Sequence, residues 1–227
     1  MMKEDQAIVL RNYPYGENDL IVSVWTKGEG RTQGIAKGGR HSKKRFANCL
    51  ELGSRIQLIF EEKTGRDLIF LKEASLKRAS PAWRNSYVTI LAVSFVAELA
   101  LKLLPERNPA GEKFELLENF LEEITEKEIL KKLVAFEFCW LSLSGLAPNL
   151  EACGVCGISF EEHPRWQLLL ERGEILCPRC WLGNKAIVSM EDIQFLSGNL
   201  QPIFDHYWHQ TLGRPLVSAK LLSELVL

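Results

Sequence analysis

Two Cys-x-x-Cys pairs, Cys153-Gly154-Val155-Cys156 and Cys177-Pro178-Arg179-Cys180, stand 20 residues apart. Cysteines two apart can aim both sulfurs at one point when the backbone between them turns tightly. Gly154, Gly157 and Pro178 supply the dihedrals such turns need. Four converging thiolates are the ligand set that Zn²⁺ prefers, and this spacing is a strong signature of one structural zinc site. The alternatives are four reduced buried thiols or two disulfides, which would suit a secreted chain. Four sulfurs close the metal's shell, whereas catalytic zinc keeps a position open for water. The expected role is an architectural clamp. His163 lies between the pairs and could replace a ligand, but before Pro164 it reads as a surface histidine.

The second stretch with chemistry is Ala36-Lys37-Gly38-Gly39-Arg40-His41-Ser42-Lys43-Lys44-Arg45-Phe46. It puts five cations into the nine positions from Lys37 to Arg45, with no acid among them. Such a segment can track phosphates, with Arg11, Arg31 and Arg66 extending the track; the plainer reading is a solvated basic loop. It is no ATP cradle, because the Gly-x₄-Gly-Lys-Ser/Thr spacing is missing. His41 has no neighbouring carboxylate to orient it. His206 and His209, three apart beside Phe204, Tyr207 and Trp208, read as an amphipathic packing face before a metal pair. No Ser-His-Asp set and no pair of converging carboxylates is evident, so the chain reads as a non-enzyme.

The elements that must position these residues change character along the chain. Short strand-like runs fill the front: 6–11, then 20–26, which is rich in β-branched residues, 31–36, 55–61 and 67–71, with turns at Lys27–Gly30 and Lys63–Arg66. Five strands with a longer connection after the third suit an OB-fold barrel, with an SH3-like barrel as competitor. From Ser80-Pro81 the period becomes helical, to about Leu104. A second helix opens at Asn108-Pro109, with Phe114, Leu117, Leu121 and Ile124 on one stripe. Thr125 with Glu128 reads as a capping box for a third, and Ser189 with Asp192 caps another. Two short helices near 203–212 and 216–225 finish the chain. The expected fold is α+β: an OB-fold domain over 1–79 suited to nucleic acid, then an all-α domain over 80–227 with a four-cysteine zinc-binding loop inserted at 150–186.

Composition places the chain among folded soluble proteins: 46% hydrophobic, 25% charged, net charge −1. The charge is uneven. Residues 1–80 hold 15 Lys and Arg against 10 Asp and Glu, and residues 81–227 hold 13 against 19. A basic front suggests a polyanionic partner there. The charged start Met1–Asp5 precedes no signal-type apolar core, and Tyr87–Leu104 is interrupted by Glu98 and Lys102, so a cytosolic protein is expected. Cys49 and Cys139 read as core residues.

Four segments resemble the RecO family of bacterial recombination mediators. They are Ala7–Arg11 running into Tyr15–Val22, Ala36–Arg40 with Lys43–Phe46, the four cysteines, and Leu212-Gly213-Arg214-Pro215-Leu216. The resemblance implies an N-terminal OB-fold, a helical domain, a zinc-bound region and no nucleotide hydrolysis. It implies binding of single- and double-stranded DNA and annealing of complementary strands. It further implies joint action with RecR to load RecA onto DNA coated by single-strand-binding protein, whose acidic C-terminal tail the helical domain would take. DNA-contacting positions map onto Lys37, Arg40, Lys43, Lys44 and Arg45, with Arg11 and Arg31 beside them. The end, Val217-Ser218-Ala219-Lys220, is less basic than the family pattern. An RNA-binding factor on the same barrel and a zinc-dependent hydrolase are the alternatives.

Overall fold

Five runs build β1 (Met2–Tyr15), β2 (Asp19–Thr26), β3 (Gly30–Ala36), β4 (Arg55–Glu61) and β5 (Ile69–Leu76); buried positions alternate along β3 and β4 and run on continuously in β1 and β2. In the computed structural model these close into a barrel in the order β1-β2-β3-β5-β4, with β1 also pairing β4. This is the OB-type arrangement. Its interior is lined by Val9, Val22, Val24, Ile56, Leu58, Phe60, Ile69 and Leu71. The β3–β5 seam is parallel, Gly34 opposite Ile69 and Ala36 opposite Leu71. Gly34 makes the seam possible, since a Cβ there would stand 2.7 Å from Leu71 Cδ2 and 2.8 Å from Ile69 Cγ1.

The structure describes residues 1–62, 65, 67–77, 82–183, 185–214 and 216–226. Lys63, Thr64 and Arg66 of the expected turn, the Ser80-Pro81 cap and Pro215 lie outside them. The chain divides into two compact units, Met1–Glu123 and Ile124–Leu227. Helices α1 (Tyr87–Leu103) and α2 (Gly111–Glu123) therefore fold with the barrel. The α2 stripe of Phe114, Leu117 and Leu121 is buried as its 3.6 period demands, and Phe114 meets Trp25 of β2 edge-on, centroids 5.5 Å apart.

The first strand is longer than the run 6–11 suggests. A bulge between Val9 and Arg11 bends it. Before the bulge β1 pairs with both β2 and β4; beyond it, residues 11–15 pair with β2 alone, as a hairpin arm.

In the second unit α3 (Ile129–Ser142) leads to four short strands: β6 (Asn149–Cys153), β7 (Arg165–Leu169), β8 (Glu174–Leu176) and β9 (Ile187–Ser189). They form a sheet in the order β6-β8-β7-β9. The expected all-α region thus contains a sheet, whose strands of three to five residues are too short to display an alternation. Helices α4 (Met190–Gln194), α5 (Gln201–Leu212) and α6 (Val217–Val226) follow. Ser189 and Asp192 form the expected capping box. Thr125 and Glu128 do not: Glu128 sits at φ 59°, in the left-handed region, and caps α3 without its side chain. Among the described residues no helix is long and apolar enough to cross a membrane.

Inside this unit α3 buries Leu133, Phe136, Trp140 and also Glu137, which is 0% exposed. Trp208 Nε1 of α5 donates to Glu137 Oε1 at 2.8 Å. Burial, then the charge of Asp205, push the Glu137 carboxyl well above its ordinary range. Glu137 Oε2 and Gln201 Oε1 are both buried without a hydrogen-bond partner.

Candidate nucleic-acid interface and four-cysteine centre

The basic segment leaves β3 at Ala36 and is pinned at once. Gly38 takes φ 64° and ψ 18°, a left-handed conformation that glycine adopts without strain. Its N–H donates to Asp19 Oδ1 at 2.7 Å. Arg40 N–H donates to the Asn18 carbonyl at 3.0 Å, so the short 3₁₀ turn Gly39–His41 docks on the β1–β2 turn. Arg45 returns to the start of the segment, its Nη2 donating to the Lys37 carbonyl at 2.7 Å and its guanidinium lying 5.3 Å from the Phe46 ring centroid. Phe46, Cys49 and Leu50 then plug the barrel core. The glycines thus tighten the segment against the hairpin. Cys49 is a core thiol as expected, donating to the Ala74 carbonyl, and burial pushes it up to about 11.

Charge pairing separates this end of the barrel from the rest of its unit. Lys3, Lys27, Arg55, Lys72, Lys77, Arg84 and Arg107 each lie within 4.0 Å of a carboxylate oxygen. Lys37, Arg40, Lys43, Lys44, Arg45 and Arg11 are all exposed, and among the described residues none has a carboxylate at that distance. Arg31 behaves differently from the others proposed with it. Its side chain is only 13% exposed, its Nε donates to the Leu104 carbonyl at 2.9 Å and its Nη1 pairs with Glu106 at 3.2 Å. It braces the loop after α1.

Beyond the bulge, alternate residues of β1 carry Arg11, Tyr13 and Tyr15, opposite Ser23, Ile21 and Asp19 of β2. The Arg11 guanidinium lies 5.9 Å from the Tyr13 ring centroid. The two tyrosines were not singled out by sequence reasoning, although an i, i+2 aromatic pair ending at the Gly16 turn was the available signal.

The four cysteines converge because two parallel strands end side by side. Cys153 closes β6 opposite Ile175, and Cys177 follows the end of β8, so both chains leave the sheet in the same direction. Each then turns: Gly157 N–H donates to the Cys153 carbonyl and Cys180 N–H to that of Cys177, both at 2.9 Å. All four Sγ atoms lie within 4.8 Å of one another, with Cys156 and Cys177 at 3.6 Å. Metal–sulfur bonds of about 2.3 Å in a tetrahedron separate sulfurs by about 3.8 Å, so the set fits a metal ion. Without metal the thiols are unlike. Burial opposes ionisation of Cys153, but N–H groups of Cys156, Cys177 and Val155 outweigh it and bring the group to about 6. Burial and the sulfurs of Cys156, Cys177 and Cys153 push Cys180 up to about 12. The same N–H groups would stabilise the thiolates of a bound metal.

The remaining sequence candidates lie elsewhere. His163 packs edge-on against Trp166, centroids 5.9 Å apart, outside the sulfur cluster. His206 and His209 are exposed on α5, and His206 Nε2 contacts the Gln210 amide at 2.9 Å. Cys139 is exposed, not core, because α3 buries positions 129, 133, 136, 137 and 140 and leaves 139 on the outer face.

The fold and the two sites define a two-unit protein: an OB-type barrel with an unpaired basic end, and a helical unit bearing a four-cysteine metal-competent centre. Residues 1–79 match the family model for the recombination protein O N terminal, and residues 84–194 that for the recombination protein O C terminal. The chain belongs to the RecO family. It is 36% identical over 174 residues to the DNA repair protein RecO of Syntrophobacter fumaroxidans, covering 76% of this chain and 69% of that one. The DNA repair protein RecO of Koribacter versatilis is 30% identical over 75% of this chain and 70% of its own. That of Myxococcus xanthus is 31% identical over 86% and 79%.

Proposed function

We propose that this protein is a non-enzymatic recombination mediator of DNA repair that binds single- and double-stranded DNA and anneals complementary strands. One observation carries the reading: six exposed cations gather at one end of the barrel with no carboxylate partner among the described residues, while Lys3, Lys27, Arg55, Lys72, Lys77, Arg84 and Arg107 elsewhere in that unit are paired. An unneutralised cluster attracts a polyanion, and releasing its counterions supplies the binding free energy. Lys37, Arg40, Lys43, Lys44, Arg45 and Arg11 are the proposed phosphate contacts. Arg31 is left out, since its side chain is mostly buried and its guanidinium is already paired with Glu106.

By family membership the proposed partners are RecR and, through the acidic tail of single-strand-binding protein, the coated strand onto which RecA is loaded. The proposed place of work is the cytoplasm, at the nucleoid. Zn²⁺ is the proposed metal, held by Cys153, Cys156, Cys177 and Cys180 as a structural clamp. Four sulfurs leave no position for water, so the proposal gives the metal no chemical step.

The test is annealing of two complementary oligonucleotides, without nucleotide, by the full chain and by a variant lacking the cations of 37–45. Accelerated annealing by the wild type and loss in the variant are expected. Annealing no faster than in buffer alone would refute the reading.

A further inference from the structure

We propose that Tyr13 and Tyr15 form a stacking platform for unpaired bases, making the hairpin arm a reader of single strands over duplex. The inference rests on the DNA-binding reading and deepens it by naming the state of the ligand.

The register places the rings. Asn12 and Pro14 stand opposite Val22 and Leu20, which line or pack on the barrel core. Arg11, Tyr13 and Tyr15 alternate with them and so occupy the other face of the arm. Tyr15 is 56% exposed and Tyr13 39%. Among the described residues neither ring packs against another aromatic ring. A pair of exposed rings on one strand face is apolar surface held in water.

Their neighbours are the free cations. Arg11 lies against Tyr13 in the same row. Tyr15 stands opposite Asp19, whose carboxylate holds Gly38, so the basic segment begins beside that ring. Ala36, the last residue of β3, pairs with Leu20, which puts Lys37 just past the strand's end, two strands over from Tyr15. Cations and aromatic faces interleaved at one end are what a single strand requires, phosphates on the former and bases on the latter.

The spacing also suits bases. Residues two apart on a strand are about 6.8 Å apart along its axis. That is twice the rise of about 3.4 Å between successive stacked bases, so the rings can flank one base or carry one each. A duplex keeps its bases stacked inside and offers this arm only phosphates, which the cations read without regard to strandedness. The rings would therefore add affinity for single strands alone.

The experiment uses the full chain with a labelled oligothymidine and a duplex of equal length, at several salt concentrations. The variants are Tyr13→Leu/Tyr15→Leu, which keeps apolar cover over Ile21, and Tyr15→Leu alone at the exposed tip. Single-strand affinity should fall roughly five- to a hundredfold per ring, while duplex affinity stays within about twofold and the salt slope is unchanged. Tyr13→Phe/Tyr15→Phe should bind like the wild type. Equal losses on both ligands, or no loss on the single strand by Tyr15→Leu, would overturn the platform. If the wild type shows no salt-dependent affinity for either ligand, the DNA-binding reading itself fails; silent tyrosines in a protein that binds normally remove only this inference.

Discussion

Replacing Lys37, Arg40, Lys43 and Lys44 together with alanine removes charge while leaving the anchors of the basic segment in place. Arg45 is spared because it bonds the Lys37 carbonyl and covers Phe46. Arg11 is spared because it lies against Tyr13. If all six free cations contact phosphates, the slope of log affinity against log salt is about −4.2 on a single strand, at about 0.7 per contact. Two remaining cations give about −1.4, so the variant loses about 2.8 units of slope. Between 50 and 200 mM salt, wild-type affinity should drop by a factor of roughly 300 and the variant's by only about sevenfold. Fluorescence anisotropy over that range measures both. Lys27→Ala is the control, since Lys27 is paired with Glu115 at 2.9 Å, and its slope should match the wild type. Equal slopes for the four-cation variant and the wild type, with both chains folded by circular dichroism, would refute the assignment.

The four-cysteine centre predicts one equivalent of zinc per chain by elemental analysis, lost in Cys153→Ser and on chelation with a fall in melting temperature; a metal-free, equally stable wild type would contradict it. Glu137 predicts a pH effect. Its folded-state affinity for the proton is raised above the ordinary 4.5, so the folded form holds more protons than the unfolded one above that value, and stability falls as pH rises from there. Glu137→Gln keeps the hydrogen bond from Trp208 without the titration, so its advantage in denaturant melts should widen from pH 4.5 upward; a constant difference would exclude a buried acid. Gly34→Val should lower stability by about 1–3 kcal/mol, because its methyls meet Leu71 and Ile69 across the β3–β5 seam. Unchanged urea midpoints would show that the seam can spread.

The OB-type barrel was legible because its strands are long enough to carry a pattern: β4 runs half-buried, buried over its whole length, with apolar Ile56, Leu58 and Phe60 at the buried positions. The small sheet of the second unit was not, since a strand of three residues such as Glu174–Leu176 carries barely more than one period of the pattern. The capping box at Ser189 was readable and the one at Thr125 misread for a related reason. Both have the right residues at the right spacing, but only tertiary packing decides whether the backbone between them enters a helix, and at Glu128 it takes the left-handed region instead. Cys49 and Cys139 looked alike as apolar-context thiols, yet one plugs the barrel and the other lies on the outer face of α3.

By itself the sequence determined what spacing and composition can carry: the four metal-competent sulfurs, the run of five cations and the change of period after the barrel. Ligand type and local charge are properties of the residues and survive in one dimension. Which cations stay free was decided only in three dimensions. Arg31 and Arg11 are equal in the sequence, but the fold brings Glu106 and the Leu104 carbonyl to the first and an exposed tyrosine ring to the second. Coulomb attraction at short range depends on which acids the chain carries past each cation, and residues 73 positions apart meet only through the closed barrel and the helix packed beside it.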